Sequence, residues 1–322
     1  MNLYQYTDII HVILTILSEY IIIAFMSIQR PARERIKKLK KEYDLLKVGK
    51  DSLLQMIDEA EIPESVYNSN AIENSTLTLK ETEKILMELE VSKNVSLREV
   101  FEAKNLARVM EYVKSGTHEI SREVILLLHR MLLTNIKDDI AGKFREKGEY
   151  VRIGTYIAPA PEHIERTLGD ALSEYSSDQE AYFTDKIAKF HLDFETLHPF
   201  VDGNGRIGRM IINLQLLKIG FPPVIIRDKE KDYYYSAFKA YQDNHNTKIM
   251  EEIIAKSVME SLHKRTAYLK GAKIIELAQY AKNIARSLPA FLNAAKRQTI
   301  PAFREKGVWK VDENFSQEGE HK

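Results

Sequence analysis

The segment HLDFETLHPFVDGNGRIGRMIINLQLLKIG, residues 191–220 of this 322-residue chain, limits the possible folds more than any other stretch. Ile187, Phe190, Phe194 and Leu197 recur at helical spacing up to His198. Pro199 cannot continue that helix, because it lacks an N–H donor and its ring clashes with the preceding turn. Ile207, Met210, Ile211, Leu214 and Leu217 mark a second apolar face, closed by Gly220. The spacing therefore predicts two buried helices joined by the short loop FVDGNG, and a chain that buries both must surround them with others.

The rest of the body supplies those neighbours. LREVFEAKNLARVMEYV (97–113) and REVILLLHRMLL (122–133) place apolar residues three and four apart, and His129 in the second reads as a core histidine. Thr78 and Glu81 form a capping box before the helix TEKILMELE. Only KGEYVRIGTYIAPAP (147–161) alternates, with Val151, Ile153 and Tyr156 about Gly154, and predicts a small β-hairpin. The fold class is all-α with one hairpin, and no internal repeat is present.

The loop between the two buried helices has the composition of an anion site. Glycines let backbone amides converge on an oxygen, and the helix that follows presents the positive end of its dipole. Arg206 and Arg209 lie three apart on its first turn, so both can reach a polyphosphate through forked donors. Asp202 is a hard oxygen donor of the kind that holds Mg²⁺ beside phosphates, and His198 on the opposite rim can accept a proton near neutral pH.

As an ordered set, HPFVDGNGRIGR resembles the signature of the Fic family, HxFx(D/E)GNGRxxR, at every specified position: His198, Phe200, Asp202, Gly203, Asn204, Gly205, Arg206 and Arg209. The resemblance runs from about residue 60 to residue 262. It implies a helical core that acts as a nucleotidyltransferase, a protein adenylyltransferase moving AMP from ATP to a Ser, Thr or Tyr hydroxyl of a target protein. It also implies His198 as general base, Phe200 as the anchor of the loop and Asp202 as the Mg²⁺ ligand. Asn204 with the amides of Gly203 and Gly205 would hold the phosphates, Arg206 the β-phosphate and Arg209 the γ-phosphate. A kinase-like branch carries Lys where this chain has Gly205, so glycine favours nucleotidyl transfer.

Upstream, Ser69 and Glu73 stand one helical turn apart and Asn74 can end that turn. The string Ser69-Asn-Ala-Ile-Glu73-Asn74 resembles the family's inhibitory motif, (S/T)xxxE(G/N), which implies that Glu73 pairs with Arg209 and obstructs the γ-phosphate. In some relatives this glutamate also supports removal of AMP, so de-AMPylation or auto-AMPylation accompanies the expectation. Gly142 and Arg145 resemble the GxxR segment before a flap hairpin whose exposed edge takes the target's backbone. RDKEKDYYYSAFKAY resembles the segment that closes over the nucleotide, with Tyr234 at the adenine; an aromatic at that place reads equally as a core residue.

Charge is strongly segregated although it sums to zero: residues 30–50 carry +6, residues 51–262 carry −10 and residues 263–310 carry +9. Residues 263–322 are expected to form a separate basic module that resembles the small winged helix-turn-helix of excisionase-like proteins, with IPAFREKGVWKV as the wing and DNA as partner through residues 263–310; a docking domain for a partner protein or a dimer mate, its charge merely solvated, is the alternative. At the other end, the apolar run Ile9–Ile28 followed by RPARERIKKLKK reads first as an extension ahead of a true start at Met26 and second as a membrane anchor or membrane-contacting segment, both with a cytoplasmic body. A buried helix is the remaining alternative.

Four regions are thus expected: 1–29 apolar, 30–130 helical with the inhibitory helix, 131–262 catalytic, and 263–322 basic. With no cysteine, disulfide scaffolds, thiolate metal sites and cysteine nucleophiles are excluded. Homo-oligomerisation stays open. Two other functions compete, a nucleotide-sensing DNA-binding regulator and a toxin-like module with a built-in antitoxin element.

Overall fold

A computed structural model describes residues 31–92, 94–115, 118–153 and 156–316. The apolar run 9–28 lies outside the described residues, and among these no helix is long and apolar enough to cross a membrane. The chain is mainly helical. Residues 31–46 form α1, followed by α2 (Asp51–Ile72), α3 (Leu79–Glu83), α4 (Leu97–Lys114) and α5 (Arg122–Leu133). After the hairpin strands β1 (Arg152–Ile153) and β2 (Tyr156–Ile157) come α6 (Ile164–Ser177), α7 (Phe183–Leu197), α8 (Asn204–Lys218), α9 (Lys231–Asn244) and α10 (Lys248–Leu269).

Helix α8 is the axis of the molecule. It gives Ile207, Met210, Ile211 and Leu214 to a core shared with α4, α5, α6 and α7, and Ile212 and Leu216 to a second core shared with α1, α9 and α10. Twelve of its 15 residues are buried, so any charged side chain on it must find its partners inside the protein. Helix α7 packs against α6, α8 and α10 and ends at His198, as Pro199 requires.

Two local expectations need adjustment, and a third, the hairpin, holds. The capping box at Thr78 and Glu81 forms, but α3 ends at Glu83 and passes into a π turn over Lys84–Glu88. The Glu90 N–H donates to the Lys84 carbonyl and the Lys84–Glu90 ion pair closes this wider turn at 2.8 Å, with Leu89 left-handed at φ 57°. The hairpin pairs Arg152 with Ile157 and Ile153 with Tyr156, as the alternation suggested. The boundary expected at 263 falls inside α10, whose Arg265 is 1% exposed and pairs with Asp58 and Glu61 of α2 at 2.5 and 2.6 Å.

The carboxy-terminal elements therefore start later, with β3 (Ile274–Glu276), a strand that sequence spacing did not indicate. They continue through α11 (Leu277–Asn283), α12 (Leu288–Lys296), β4 (Phe303–Glu305) and β5 (Val308–Asp312), with the antiparallel sheet order β3-β5-β4. Leu277, Tyr280, Phe291, Ile300 and Val311 form a core of their own. The β4–β5 hairpin occupies the segment IPAFREKGVWKV that the resemblance implied as a wing, and its tip contacts the body through Gly307 and Lys306. Of the eleven Lys and Arg in 263–310, at least Lys264, Arg265, Lys270, Lys273, Arg304, Lys306 and Lys310 form ion pairs among the described residues. Much of the basic excess thus serves as counter-charge to the acidic body and to the module's own carboxylates.

Candidate active site

The loop after α7 is bolted to the protein by groups that are not themselves reactive. Phe200 is fully buried, stacked on His129 with ring centroids 3.7 Å apart. His129 Nδ1 accepts the Gly142 N–H at 3.0 Å, so its Nε2 carries the proton and donates to the Asp202 carbonyl at 3.0 Å. Burial pushes this imidazole down to about 4, which keeps it neutral. The core role expected for His129 holds, with the addition that it fixes the loop's backbone.

Asn204 departs from its expected role. Its Oδ1 accepts the Phe200 N–H at 2.9 Å and its Nδ2 donates to the Phe200 carbonyl at 2.8 Å. The side chain is 2% exposed, and these two bonds take it up as a staple across the loop rather than offering it to a phosphate. Gly203, the residue before α8, has φ 85° and only 3.0 Å between an added Cβ and Leu132 Cδ2; a side chain there would be strained twice over.

His198 caps α7 in the left-handed region, at φ 49°. Arg145 holds this turn: its Nε donates to the His198 carbonyl at 2.8 Å and its Nη2 to the carbonyls of Pro159 and Leu197 at 2.9 and 3.2 Å. His198 Nδ1 lies 3.3 Å from the Glu195 carbonyl, which can only accept, so the proton sits on Nδ1 and the Nε2 lone pair is free. Burial drives the pKa down to about 4, and the imidazole is unprotonated at neutral pH.

Across the loop, Asp202 is surrounded by cations. Lys137 contacts its carboxylate at 2.7 Å, Arg206 at 3.1 Å and Arg98 at 3.6 Å. Burial alone would raise its pKa, but the Lys137 hydrogen bond and the Arg206, Lys137 and Arg98 charges together lower it. Arg206 also lies 3.4 Å from Glu102, and its Nε has no hydrogen-bond partner among the described residues. Lys137, Arg98 and Glu102 were missed from sequence; the spacing of Arg98 and Glu102 on one helix face was the available sign.

Arg209 is the most constrained cation of the site. Its Nε donates to Ser69 Oγ at 3.0 Å, and its Nη2 to the Ser69 carbonyl at 2.8 Å and to Glu73 Oε1 at 2.9 Å. Ser69 and Glu73 do share one face at the end of α2, and Asn74, at φ 68°, ends that helix. Burial disfavours the charged guanidinium, but Glu73 outweighs it and holds the pKa above the usual value. Gly205 makes the approach possible: a Cβ there would come within 2.2 Å of Glu73 Oε1.

Behind this pair sits Glu195, also missed from sequence. Burial pushes its carboxyl up to about 8, the Glu73 charge adds to the rise and Arg209 opposes it. Tyr234 was expected at the adenine. It is 1% exposed, hydrogen-bonded to His191 Nε2 at 2.8 Å and packed behind Arg209, so it presents no face to a base.

Residues 119–216 match the family described as Fic/DOC. The chain is 34% identical over 180 residues to the protein adenylyltransferase fic-1 of Caenorhabditis briggsae, covering 53% of this chain and 35% of that one. It is 33% identical over 187 residues to the protein adenylyltransferase Fic of Nematostella vectensis, covering 56% and 43%. The chain thus spans less than half the length of these curated relatives. Among solved structures, a Fic domain containing signaling protein from Bacteroides thetaiotaomicron superposes with a TM-score of 0.65 at 24% identity, over 74% of this chain and 97% of that one. Fic-1 from Caenorhabditis elegans gives 0.65 at 26% identity, over 74% and 71%.

Proposed function

We propose that this chain, whose residues 119–216 form a Fic domain, is a self-inhibited protein adenylyltransferase that moves AMP from ATP to a protein hydroxyl. One observation carries the reading: a neutral His198 with a free Nε2 lone pair faces a loop that opens onto Arg206 and Arg209 at the start of a buried helix. Such a site supplies a base and a polyphosphate clamp without any nucleophile of its own. Positioning and charge stabilisation are what phosphoryl chemistry asks of a protein.

In the reaction, the target hydroxyl oxygen attacks the α-phosphorus, the bond to the bridging oxygen of the β-phosphate breaks, and pyrophosphate leaves. His198 Nε2 takes the hydroxyl proton. Arg206 and the amides at the start of α8 hold the phosphates against the helix dipole. The edge of the β1–β2 hairpin, where Ile157 is 65% exposed, offers backbone groups to the target chain.

The donor set fits Mg²⁺ in one way only. Among the described residues no group of three or more His, Asp or Glu could hold a metal, so Asp202 would be the single side-chain ligand beside phosphate and water oxygens, a set Mg²⁺ accepts. Bound there, the ion would neutralise charge developing on the departing phosphates.

Glu73 supplies the restraint. A γ-phosphate cannot share Arg209 Nη2 with a carboxylate without like-charge repulsion. The test uses ATP labelled at the α-phosphate, Mg²⁺ and cell extract. Glu73→Gly is expected to transfer label to protein, the unaltered chain to transfer little, and Glu73→Gly with His198→Ala none. Label arriving only from the γ-phosphate would make the protein a kinase and sink the proposal.

A further inference from the structure

The second half of α2, which carries Ser69 and Glu73, is buried in an unusual way. Its buried side chains include Glu64, Ser65, Asn68, Ser69 and Asn70, with Val66 and Ile72 as the aliphatic exceptions beyond Pro63. A helix seated mainly by polar groups is held by specific partners and not by non-directional apolar burial. Asn70, 3% exposed, has no hydrogen-bond partner among the described residues on either its Oδ1 or its Nδ2. Its last turn is therefore costly to keep in place.

Those partners come largely from outside the Fic domain. Glu64 Oε1 accepts the backbone N–H of Gly307, at the tip of the β4–β5 wing, at 3.0 Å, and pairs with Arg227. Arg227 Nη2 reaches Glu260 at 3.0 Å, and Glu260 receives Arg304 of the wing through Nε at 3.0 Å and Nη2 at 2.6 Å. Glu64, Arg227 and Glu260 are each 7% exposed or less, so this alternating row of charges is desolvated and must stay matched. Lys306, also at the wing tip, pairs with Glu83 of α3 at 2.9 Å. The segment after Arg227 adds the Asp228 N–H on Asn68 Oδ1, Tyr235 on the Ile72 carbonyl and Lys231 on Asn74.

We propose that the wing of the carboxy-terminal module is a latch on the inhibitory helix: its contact with Glu64 of α2, and its pair with Glu83 of α3, which packs against α2, keep α2 seated and thereby keep Glu73 on Arg209. The latch rests on the reading of Glu73 as inhibitor. It makes the module a regulator of adenylyl transfer, because whatever draws the wing away from the body loosens the last turn of α2 and exposes Arg209 to the γ-phosphate.

The full-length chain tests this with Lys306→Glu, at an exposed position, and with Lys306→Glu combined with Arg304→Gln. Two readouts are taken: label from α-labelled ATP, and amide hydrogen exchange over residues 70–76. The double variant is expected to raise labelling at least about fivefold over the unaltered chain, a coupling of ordinary allosteric size, and to speed exchange in that segment. It is expected to add nothing when Glu73→Gly is already present. Unchanged labelling and exchange in the folded variants, with Glu73→Gly active, would overturn the latch. Should Glu73→Gly itself fail to label, the inhibitory reading fails, and exchange over 70–76 alone decides the latch. If the double variant does not fold, Lys306→Glu alone decides by the same two readouts, with a smaller rise expected.

Discussion

Arg145 grips the backbone of His198 from behind, its Nε 2.8 Å from that residue's carbonyl oxygen, while its own N–H donates to the Pro199 carbonyl at 2.9 Å. The left-handed turn that aims the imidazole is thus held by a buried guanidinium some fifty residues upstream. A non-glycine residue in that region carries roughly 1–3 kcal/mol of strain, which the surrounding bonds must hold in place.

Arg145→Lys is therefore expected to be far from conservative. A single ammonium cannot serve the carbonyls of Glu149, Pro159, Leu197 and His198 together. In the Glu73→Gly background, transfer should fall about tenfold or more with little change in the KM for ATP, since the base is misaimed and the phosphate clamp is intact. A proportional loss of ATP affinity would refute this division of labour.

Asn204→Asp separates stapling from phosphate binding. An aspartate keeps the shape but cannot donate to the Phe200 carbonyl, and its charge repels that oxygen. Denaturant unfolding without nucleotide should show about 1–3 kcal/mol of lost stability. Stability equal to that of the unaltered chain would return Asn204 to the phosphates.

Glu195 gives the protein an alkaline sensitivity. Its pKa rises from 4.5 unfolded to about 8 folded, so the stability it contributes is full below about 4.5 and is lost as pH climbs through 8. The slope is at most about 1.4 kcal/mol per pH unit in that window. Glu195→Gln should match the unaltered Tm near pH 4.5 and exceed it near pH 9. His191 runs the other way: burial lowers it from 6.5 to about 3, so its contribution disappears as pH falls below 6.5. A constant Tm gap between variant and parent at all pH values would contradict the burial of a neutral Glu195.

Gly205→Ala probes the contact between Glu73 and α8. The added methyl would lie 2.2 Å from Glu73 Oε1, the far end of a flexible side chain that can move away. Labelling from α-labelled ATP should rise several-fold while remaining below that of Glu73→Gly, because the backbone amide is retained. Unchanged labelling with unimpaired nucleotide binding would show that the carboxylate is not held there in solution.

The helix pair and its loop were legible because Pro199 and the glycines act through backbone geometry, which is local. Asp202 meets Arg206, and Ser69 and Glu73 meet Arg209; spacing placed Ser69 with Glu73 and Arg206 with Arg209, while the meeting across the chain was implied by the family resemblance. Asn204 and Tyr234 were not legible, since an amide or a phenol can turn toward solvent or protein, and only packing from distant elements decides. Glu195 escaped notice because a glutamate on a helix is usually solvated; its burial follows from α7 being enclosed by α6, α8 and α10. The wing's direction was invisible for the same reason: Arg304 and Lys306 look like cations awaiting a polyanion until Glu260 and Glu83 are placed beside them.

Ser69 holds Arg209 through two bonds that do not depend on Glu73. The element that carries Glu73 is also the jig that keeps the arginine aimed. Complete departure of α2 would leave a loose guanidinium, whereas swinging aside one carboxylate, 34% exposed, would leave a tool already set for use. On the proposed function, readiness is thus separated from idleness by the rotation of a single side chain, and a fully detached helix would be a damaged state instead of an active one.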